Sequence, residues 1–224
     1  MKKIMLLHTV KSVFETFGHD MCNYLDFPVQ TDSILDTFLA DDPARHDGVF
    51  SEANRIRLFH DLENAQLAEP DLIVVTCSSL SPYIPSLRSF FRIPIVSIDD
   101  AMCRTAVETG TEVAVIATAT SALQPAIRKL NLMAAEADTR LNVSSFCNPD
   151  AIAALKAGDR ATHDRLVLEM AAKIKSDTDV IVLAQASLAP MKESVEKTTG
   201  IRTLASPELC FGEIKSILTE QVKA

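Results

Sequence analysis

The sequence lacks the features that mark membrane-spanning and nucleic-acid-binding proteins. Its longest apolar runs, such as 72–75 and 180–184, have the length of a strand and are far too short to span a bilayer. The net charge is −8, and no Lys/Arg cluster supplies the basic patch that nucleic acid requires. We therefore expect neither a membrane nor a nucleic acid as partner.

The cysteine and histidine spacings also lack the patterns of disulfide-rich and metal-binding proteins. The five cysteines are widely spaced without a CxxC pair, and the five histidines show no HxxxH spacing. A disulfide framework, a zinc site or any other metal site is not expected.

The opening MKKIMLLHTV has no long apolar core, because His8 and Lys11 interrupt the apolar residues. It is interpreted as a first strand, and the protein as cytoplasmic.

Strand-like runs rich in Val and Ile alternate with helix-length amphipathic segments. This pattern predicts an α/β fold with parallel sheets covered by helices. The predicted strands are 3–9, 33–39, 71–76, 93–98, 112–118, 139–147, 179–184 and 201–205. The predicted helices are 51–67, 82–91, 99–110, 121–132, 149–156, 162–175, 187–197 and 207–223. Ser51 is the expected N-cap of the first of these helices, with Ile56, Phe59 and Leu62 facing one side.

The chain also repeats itself. Residues 71–100, the first copy, align without a gap to residues 179–208, the second copy, at an offset of 108. The identical pairs are Asp71/Asp179, Ile73/Ile181, Val74/Val182, Ser79/Ser187, Leu80/Leu188, Pro82/Pro190, Ser86/Ser194 and Ile93/Ile201. Where the first copy has Cys77, the second has Gln185. A duplicated fold therefore carries a nucleophile or base in only one of its two copies.

The repeat predicts two similar Rossmann-like domains related by a pseudo-two-fold, with an active site in the cleft between them. The predicted domains are 1–98, joined by the C-terminal helix 207–224, and 99–206. Two chain crossings would then connect them, as in a pair that rocks about a hinge. Each half has roughly the length of one small parallel-sheet domain.

Polar residues collect where predicted strands turn into helices, which is where open parallel sheets bind ligands. They are His8, Thr9, Cys77, Ser78, Ser79, Thr118, Thr120, Ser121, Gln185 and Ser187. Hydroxyls and free backbone N–H groups at helix N-termini would form a receptor for a small anion such as a carboxylate. The alternative is that each Ser and Thr only caps a helix.

Cys77 is the candidate reactive group. A predicted helix N-terminus would stabilise its thiolate, which could act as base or nucleophile; the alternative is a buried structural cysteine. His8, at the end of the first strand, could accept the thiol proton or be a hydrogen-bonded structural residue. Asp99 and Asp100 could supply charge, although Asp99 is equally explained as a helix cap.

These turns resemble the cofactor-independent aspartate/glutamate racemase superfamily, with its hydantoin racemases, maleate isomerases and arylmalonate decarboxylases. DLIVVTCSSLSP is similar to the family's first cysteine turn, with Cys77 at the cysteine and Ser78 and Ser79 at the usual Asn and Thr. VAVIATATSAL is similar to its carboxylate-binding turn, with Thr118 and Ser121 at the hydroxyls. The resemblance covers the whole chain and implies an enzyme without a cofactor.

DVIVLAQASLAP is similar to the second cysteine turn, but Ala184-Gln185-Ala186 replaces Gly-Cys-Thr. Ser187 replaces an acidic residue or His, and His8 replaces an Asp. Racemisation in this family uses one proton-transfer group on each face of the α-carbon, and a glutamine amide cannot serve near neutral pH. Gln185 is expected to donate its amide N–H to the substrate instead.

The function expected first is a racemase-type isomerase acting at the α-carbon of a small carboxylic or amino acid. The missing second thiol keeps open a one-thiol decarboxylase or a cis–trans isomerase. A binding protein that holds a carboxylate without reacting is the third alternative. A homodimer is expected only because dimers are the commonest closed assemblies of soluble proteins.

Overall fold

The computed structural model describes residues 1–46 and 49–221 as strands alternating with helices. The first half contains β1 (Lys2–His8), α1 (Lys11–Tyr24), β2 (Val29–Leu35), α2 (Phe38–Arg45), α3 (Glu52–Leu67), β3 (Leu72–Val75), α4 (Ile84–Leu87) and β4 (Ile95–Ser97). The second half contains α5 (Asp100–Thr109), β5 (Glu112–Ala117), α6 (Thr120–Glu136), β6 (Asn142–Cys147), α7 (Pro149–Lys156), α8 (Arg160–Ala171), β7 (Val180–Leu183), α9 (Lys192–Thr199), β8 (Thr203–Ala205) and α10 (Ser206–Glu220). Short 3₁₀ helices lie at Arg88–Phe90 and Ala186–Met191.

The strands form two four-stranded sheets of the same topology. The strand order is β2-β1-β3-β4 in one sheet and β6-β5-β7-β8 in the other, and every pairing is parallel. Strands β3 and β7 are buried throughout, and β1 and β5 are buried except at their first residues, as expected of parallel sheets covered by helices. The predicted α/β class with two similar parallel sheets is confirmed.

Each sheet is the centre of one compact unit. The first unit comprises Met1–Asp100 and the segment from Glu208, and the second comprises Ala101–Pro207. The last helix is predicted to run to residue 223, but α10 ends at Glu220. Residues 222–224, part of the predicted first-domain tail, lie outside the described residues. The predicted domain boundaries after residues 98 and 206 stay a prediction.

The repeated aspartate at the start of each copy joins the amino ends of the two central strands. Asp71 accepts a hydrogen bond from the backbone N–H of Lys3 at 2.8 Å. Asp179 accepts two, from the N–H groups of Thr111 at 2.8 Å and Glu112 at 2.9 Å. These bonds set where β1 and β5 begin, so this identity between the copies is structural and lies at the sheet edge away from the predicted site.

Helices α1 and α2 were not predicted from the sequence, and several predicted elements are displaced. The second strand begins at Val29 and ends at Leu35, four residues earlier than the predicted strand 33–39, whose last two residues begin α2. The reason is that β2 is an edge strand of half-exposed and exposed residues, which has little apolar signal. In α3 the Ser51 cap is confirmed by its hydrogen bond from the N–H of Asn54, but Ile56 faces outward with 52% of its surface exposed.

Candidate active site

Within each unit, the carboxyl ends of the parallel strands bring the predicted polar residues to one sheet edge. In the first unit these are His8 and Thr9 after β1, and Cys77, Ser78 and Ser79 after β3. In the second unit they are Thr118, Thr120 and Ser121 after β5, and Gln185, Ala186 and Ser187 after β7. This is the edge at which open parallel sheets bind ligands.

Cys77 is half-buried, and its sulfur lies 2.9 Å from the hydroxyl oxygen of Ser79. The predicted helix N-terminus at this position is wrong. The chain after β3 makes successive turns, with N–H of Leu80 bonded to O of Cys77 at 3.1 Å, and α4 begins only at Ile84. Pro82 has no N–H and cannot make the bond that an α-helix would need here. The sulfur is therefore in contact with the Ser79 hydroxyl, and Cys77 does not lie at a helix N-terminus.

Ser78 is oriented by Asp99, a residue that follows the neighbouring strand β4. Its hydroxyl donates to Oδ1 of Asp99, 3.2 Å away, and Asp99 is a buried residue just beyond β4. Because the hydrogen of Ser78 is committed to the carboxylate, only the lone pairs of its oxygen remain for another partner. Ser78 is thereby suited to accept a hydrogen bond from a substrate N–H, not to donate one to a substrate carboxylate.

His8 is completely buried and uncharged at neutral pH. Its Nδ1 lies 2.8 Å from the hydroxyl of Thr76, and that hydroxyl donates to the carbonyl of Leu7 at 3.1 Å. The Thr76 hydroxyl thus bridges the imidazole and the Leu7 carbonyl, and Nε2 is buried without a partner among the described residues. Burial lowers the pKa of His8 to about 4. The ring meets Phe14 and Phe17 edge-on, with centroids 5.5 and 6.2 Å away.

The structure does not bring His8 and Cys77 together. Cys77 packs against the core cluster that contains Leu7 and Val75. His8 follows Leu7 directly and, because side chains alternate along a strand, projects from the other face toward Phe17 of α1. Within residues 1–46 and 49–221, no hydrogen bond joins the imidazole to the thiol. Thr76, which sequence reasoning passed over, is the residue that holds the ring.

Gln185 and Thr118 form a pair in the second unit. Oε1 of Gln185 accepts from the backbone N–H of Thr118 at 2.7 Å and from its hydroxyl at 3.0 Å. Thr118 is buried and Gln185 is half-buried. The sequence predicts that Thr118 donates to a substrate carboxylate, but the structure directs both of its donors to Gln185. The counterpart in the first unit, Thr9, has a buried hydroxyl for which the described residues offer no partner.

The remaining predicted residues surround the helix starts of the second unit. Thr120 and Ser121 are exposed at the beginning of α6, a helix of 17 residues whose first N–H groups carry partial positive charge. Ala186 is half-buried and Ser187 exposed at the start of a 3₁₀ helix. These positions have the donors that a small anion requires.

A pair of carboxyl groups near His8, those of Asp36 and Asp61, was not predicted from the sequence. Asp36 follows β2, donates its backbone N–H to the carbonyl of His8 at 2.9 Å, and pairs with the guanidinium of Arg57. Burial raises the pKa of Asp36, but hydrogen bonds from Arg57 and Asp61 bring it below its ordinary value. Burial, together with the hydrogen bond to Asp36, raises the pKa of Asp61 to about 6. The predicted strand 33–39 placed Asp36 inside a strand and not at its end. Asp61 lies within a helix, and no motif in the sequence indicates its role.

Among residues 1–46 and 49–221, no group of three or more His, Cys, Asp or Glu side chains is arranged to hold a metal ion. Across the same residues, no helix combines the length and apolar character needed to cross a bilayer.

Solved structures with a similar fold include three proteins that cover nearly the whole chain. A glutamate racemase from Bacillus anthracis is 17% identical, with a TM-score of 0.71 over 98% of this chain and 82% of that one. An aspartate racemase from Picrophilus torridus is 14% identical, with a TM-score of 0.70 over 97% and 94%. An unliganded arylmalonate decarboxylase is 14% identical, with a TM-score of 0.59 over 97% and 93%. These likenesses show the fold.

No curated protein matches the sequence. The sequence profile of the family described as Asp/Glu/hydantoin racemase matches residues 36–211, which include both copies of the repeat up to and beyond Gln185. The resemblance seen in the sequence is thereby confirmed, and the chain belongs to the Asp/Glu/hydantoin racemase family.

Proposed function

We propose that the protein is a racemase-type isomerase in which Cys77 is the single thiol base that removes the proton from the α-carbon of a small carboxylic or amino acid. Membership of a racemase family supports the reaction class. The observation that carries the proposal is the contrast between the copies: Cys77 is half-buried with a serine hydroxyl 2.9 Å from its sulfur, whereas Gln185 is tied to Thr118.

The thiolate of Cys77 would take the α-proton, and the electron pair left behind would spread onto the substrate carboxylate. Ser79 can donate to the thiolate before the reaction and release it as the thiol forms. Ser78, whose proton is directed to Asp99, would accept a hydrogen bond from a substrate amino or amide N–H. His8 serves as a buried neutral support in this proposal, because its ring is bonded to Thr76 and lies on the other face of the sheet.

Gln185 replaces the second thiol without replacing its chemistry. An amide neither gives nor takes a proton near neutral pH, but its N–H groups can donate to a carboxylate or to the enolate-like oxygen that develops during proton removal. The second proton would therefore come from water. This would make exchange with solvent an obligatory part of each racemisation.

Deuterium exchange tests the reaction. Single enantiomers of aspartate, glutamate and a substituted hydantoin are incubated with the protein in D2O, and proton NMR and optical rotation are followed together. We expect one of these to gain deuterium at the α-carbon while losing optical activity. Retained optical activity with no exchange for any of them would contradict the proposal.

A lyase is the second candidate, and the missing second thiol favours it, because loss of CO2 followed by protonation needs only one proton donor. A substituted malonate that releases CO2 and takes up one solvent deuteron in its place, with no further exchange of that product, would support this alternative. A cis–trans isomerase would instead change the alkene signals of an unsaturated diacid. A binding protein would be stabilised against heat by one of these acids and leave all of them unchanged.

The same proposal places the protein in the cytoplasm, where a reacting thiol is kept reduced. It acts without a metal or organic cofactor, on a small-molecule substrate, and a homodimer is the expected assembly.

A further inference from the structure

The hydrogen bonds of the Thr118–Gln185 pair determine which way the glutamine amide points. A backbone N–H can only donate, so the atom of Gln185 that lies 2.7 Å from the N–H of Thr118 must be the amide oxygen. The hydroxyl of Thr118 donates to the same oxygen at 3.0 Å. The amide nitrogen is thereby turned away from Thr118.

The two N–H groups of Gln185 have no hydrogen-bond partner in the part of the chain that the structure describes. They lie on a half-buried side chain at the carboxyl edge of the second sheet. A fixed pair of N–H donors at that edge is suited to an acceptor that carries negative charge, such as a carboxylate.

Thr118 itself is poorly placed to bind a substrate oxygen. It is completely buried, and both its N–H and its hydroxyl proton are directed to Gln185. Only the lone pairs of its hydroxyl remain, and these repel a carboxylate.

The first copy has no such arrangement. Thr9 corresponds to Thr118 and Cys77 to Gln185, but the thiol lies against Ser79, and the hydroxyl of Thr9 has no partner among the described residues. A sulfur atom could not act on a substrate if a threonine held it as Thr118 holds Gln185. The two copies therefore differ: a threonine holds Gln185, whereas Cys77 contacts only the nearby serine hydroxyl among these groups.

We infer that Thr118 is a positioning residue, which locks Gln185 as a double N–H donor for a substrate carboxylate. The inference rests on the proposed function for its choice of a carboxylate as ligand. It removes Thr118 from the residues that touch substrate and makes Gln185 the contact that selects for a charged oxygen. Exposed Thr120 and Ser121 at the start of α6 remain available to the same ligand.

Malonate serves as the probe, and its dissociation constant is measured by NMR titration of the side-chain NH2 signals of Gln185. These signals are assigned by their disappearance in Gln185→Glu. In the wild-type protein they should shift as malonate is added. Thr118→Ser keeps both donors and should bind malonate as the wild type does. Thr118→Val keeps the shape but loses the hydroxyl, and should bind about five- to tenfold more weakly, as expected for one lost hydrogen bond.

Gln185→Glu and a double-mutant cycle complete the test. Gln185→Glu still presents an oxygen to Thr118, but it replaces the N–H donors with a second, negatively charged oxygen, so malonate binding should fall by more than about tenfold. In a Gln185→Ala background, Thr118→Val should have almost no further effect, because Thr118 acts only through Gln185.

Three results would overturn the inference. They are an equal loss from Thr118→Val in both backgrounds, unchanged binding by Thr118→Val in the wild-type background, and no response of the wild-type Gln185 signals to malonate. Failure of the proposed function is a separate result, which appears as absence of α-deuterium exchange. The malonate affinities of the variants would still test the role of Thr118 in that case.

Discussion

Replacing Cys77 with Ala should reduce the rate of α-deuterium incorporation by at least about a hundredfold. The reason is that a positioned general base typically contributes 10²–10⁴ to the rate, and Gln185 offers no substitute proton acceptor. Cys77→Ser should be almost as slow, because a serine hydroxyl is a far weaker acid than a thiol and has almost no ionised form at neutral pH to act as the base. The measurement is the initial rate of exchange in D2O for the acid found to be the substrate.

Cys147→Ala is the matched control, since Cys147 is also half-buried and also ends a strand at a carboxyl edge, in the second unit. It should exchange at the wild-type rate. Malonate should still shift the Gln185 signals in Cys77→Ala, which would show that the variant is folded and able to bind. Exchange by Cys77→Ala within a few-fold of wild type would mean that the base is another residue.

Replacing Gly110 with Ala should destabilise the protein by about 2–4 kcal/mol, because two hydrogen bonds to a charged carboxylate are lost at an exposed position. A Cβ atom at Gly110 would lie 2.2 Å from Oδ2 of Asp179 and 2.5 Å from its Cβ. Because the Cβ of Asp179 is fixed to the backbone, a side-chain rotation cannot relieve the clash. The carboxylate would leave the N–H groups of Thr111 and Glu112, which it now holds at 2.8 and 2.9 Å. Urea denaturation measures the difference.

Gly212→Ala provides the contrast. Gly212 lies within α10, and an added Cβ would meet only the hydroxyl of Tyr24 at 3.6 Å, which is an ordinary contact. This variant should be slightly more stable than wild type, because alanine favours the helical conformation by up to about 1 kcal/mol. If both variants had the same stability, the packing of Gly110 against Asp179 would not be what excludes a side chain there.

The sequence was sufficient for the architecture because the architecture depends on patterns that repeat. Runs such as Leu72–Val75 and Val180–Leu183 are apolar throughout, and this predicts central parallel strands buried on both faces. The edge strand β2 has no such run, and its predicted position was wrong for that reason. Some identities between the copies, such as Asp71 and Asp179, also proved to serve the sheet and not the site.

The placement of the candidate residues at strand ends was predictable, but their hydrogen bonds were not. Strand ends identified Cys77 and Gln185, because a parallel sheet gathers its carboxyl ends at one edge. Nothing in the sequence indicates that Thr118 directs both donors to Gln185, or that Thr76 holds His8 on the face away from the thiol. Those hydrogen bonds depend on the direction of the side chains at the end of a strand. A shift of the strand by one residue would move each side chain to the opposite face of the sheet.

Alkylation by iodoacetamide, followed cysteine by cysteine with mass spectrometry, tests most directly whether Cys77 is the reactive group. Cys22 and Cys147 are half-buried like Cys77, so they control for access, while Cys103 and Cys210 are buried. Burial, with the nearby carboxylates of Glu213, Asp100 and Asp99, raises the pKa of the Cys210 thiol and keeps it protonated. We predict that Cys77 is modified well before the other four and that malonate slows its modification selectively. Modification of Cys77 no faster than that of Cys22 and Cys147, with no effect of malonate, would contradict the account.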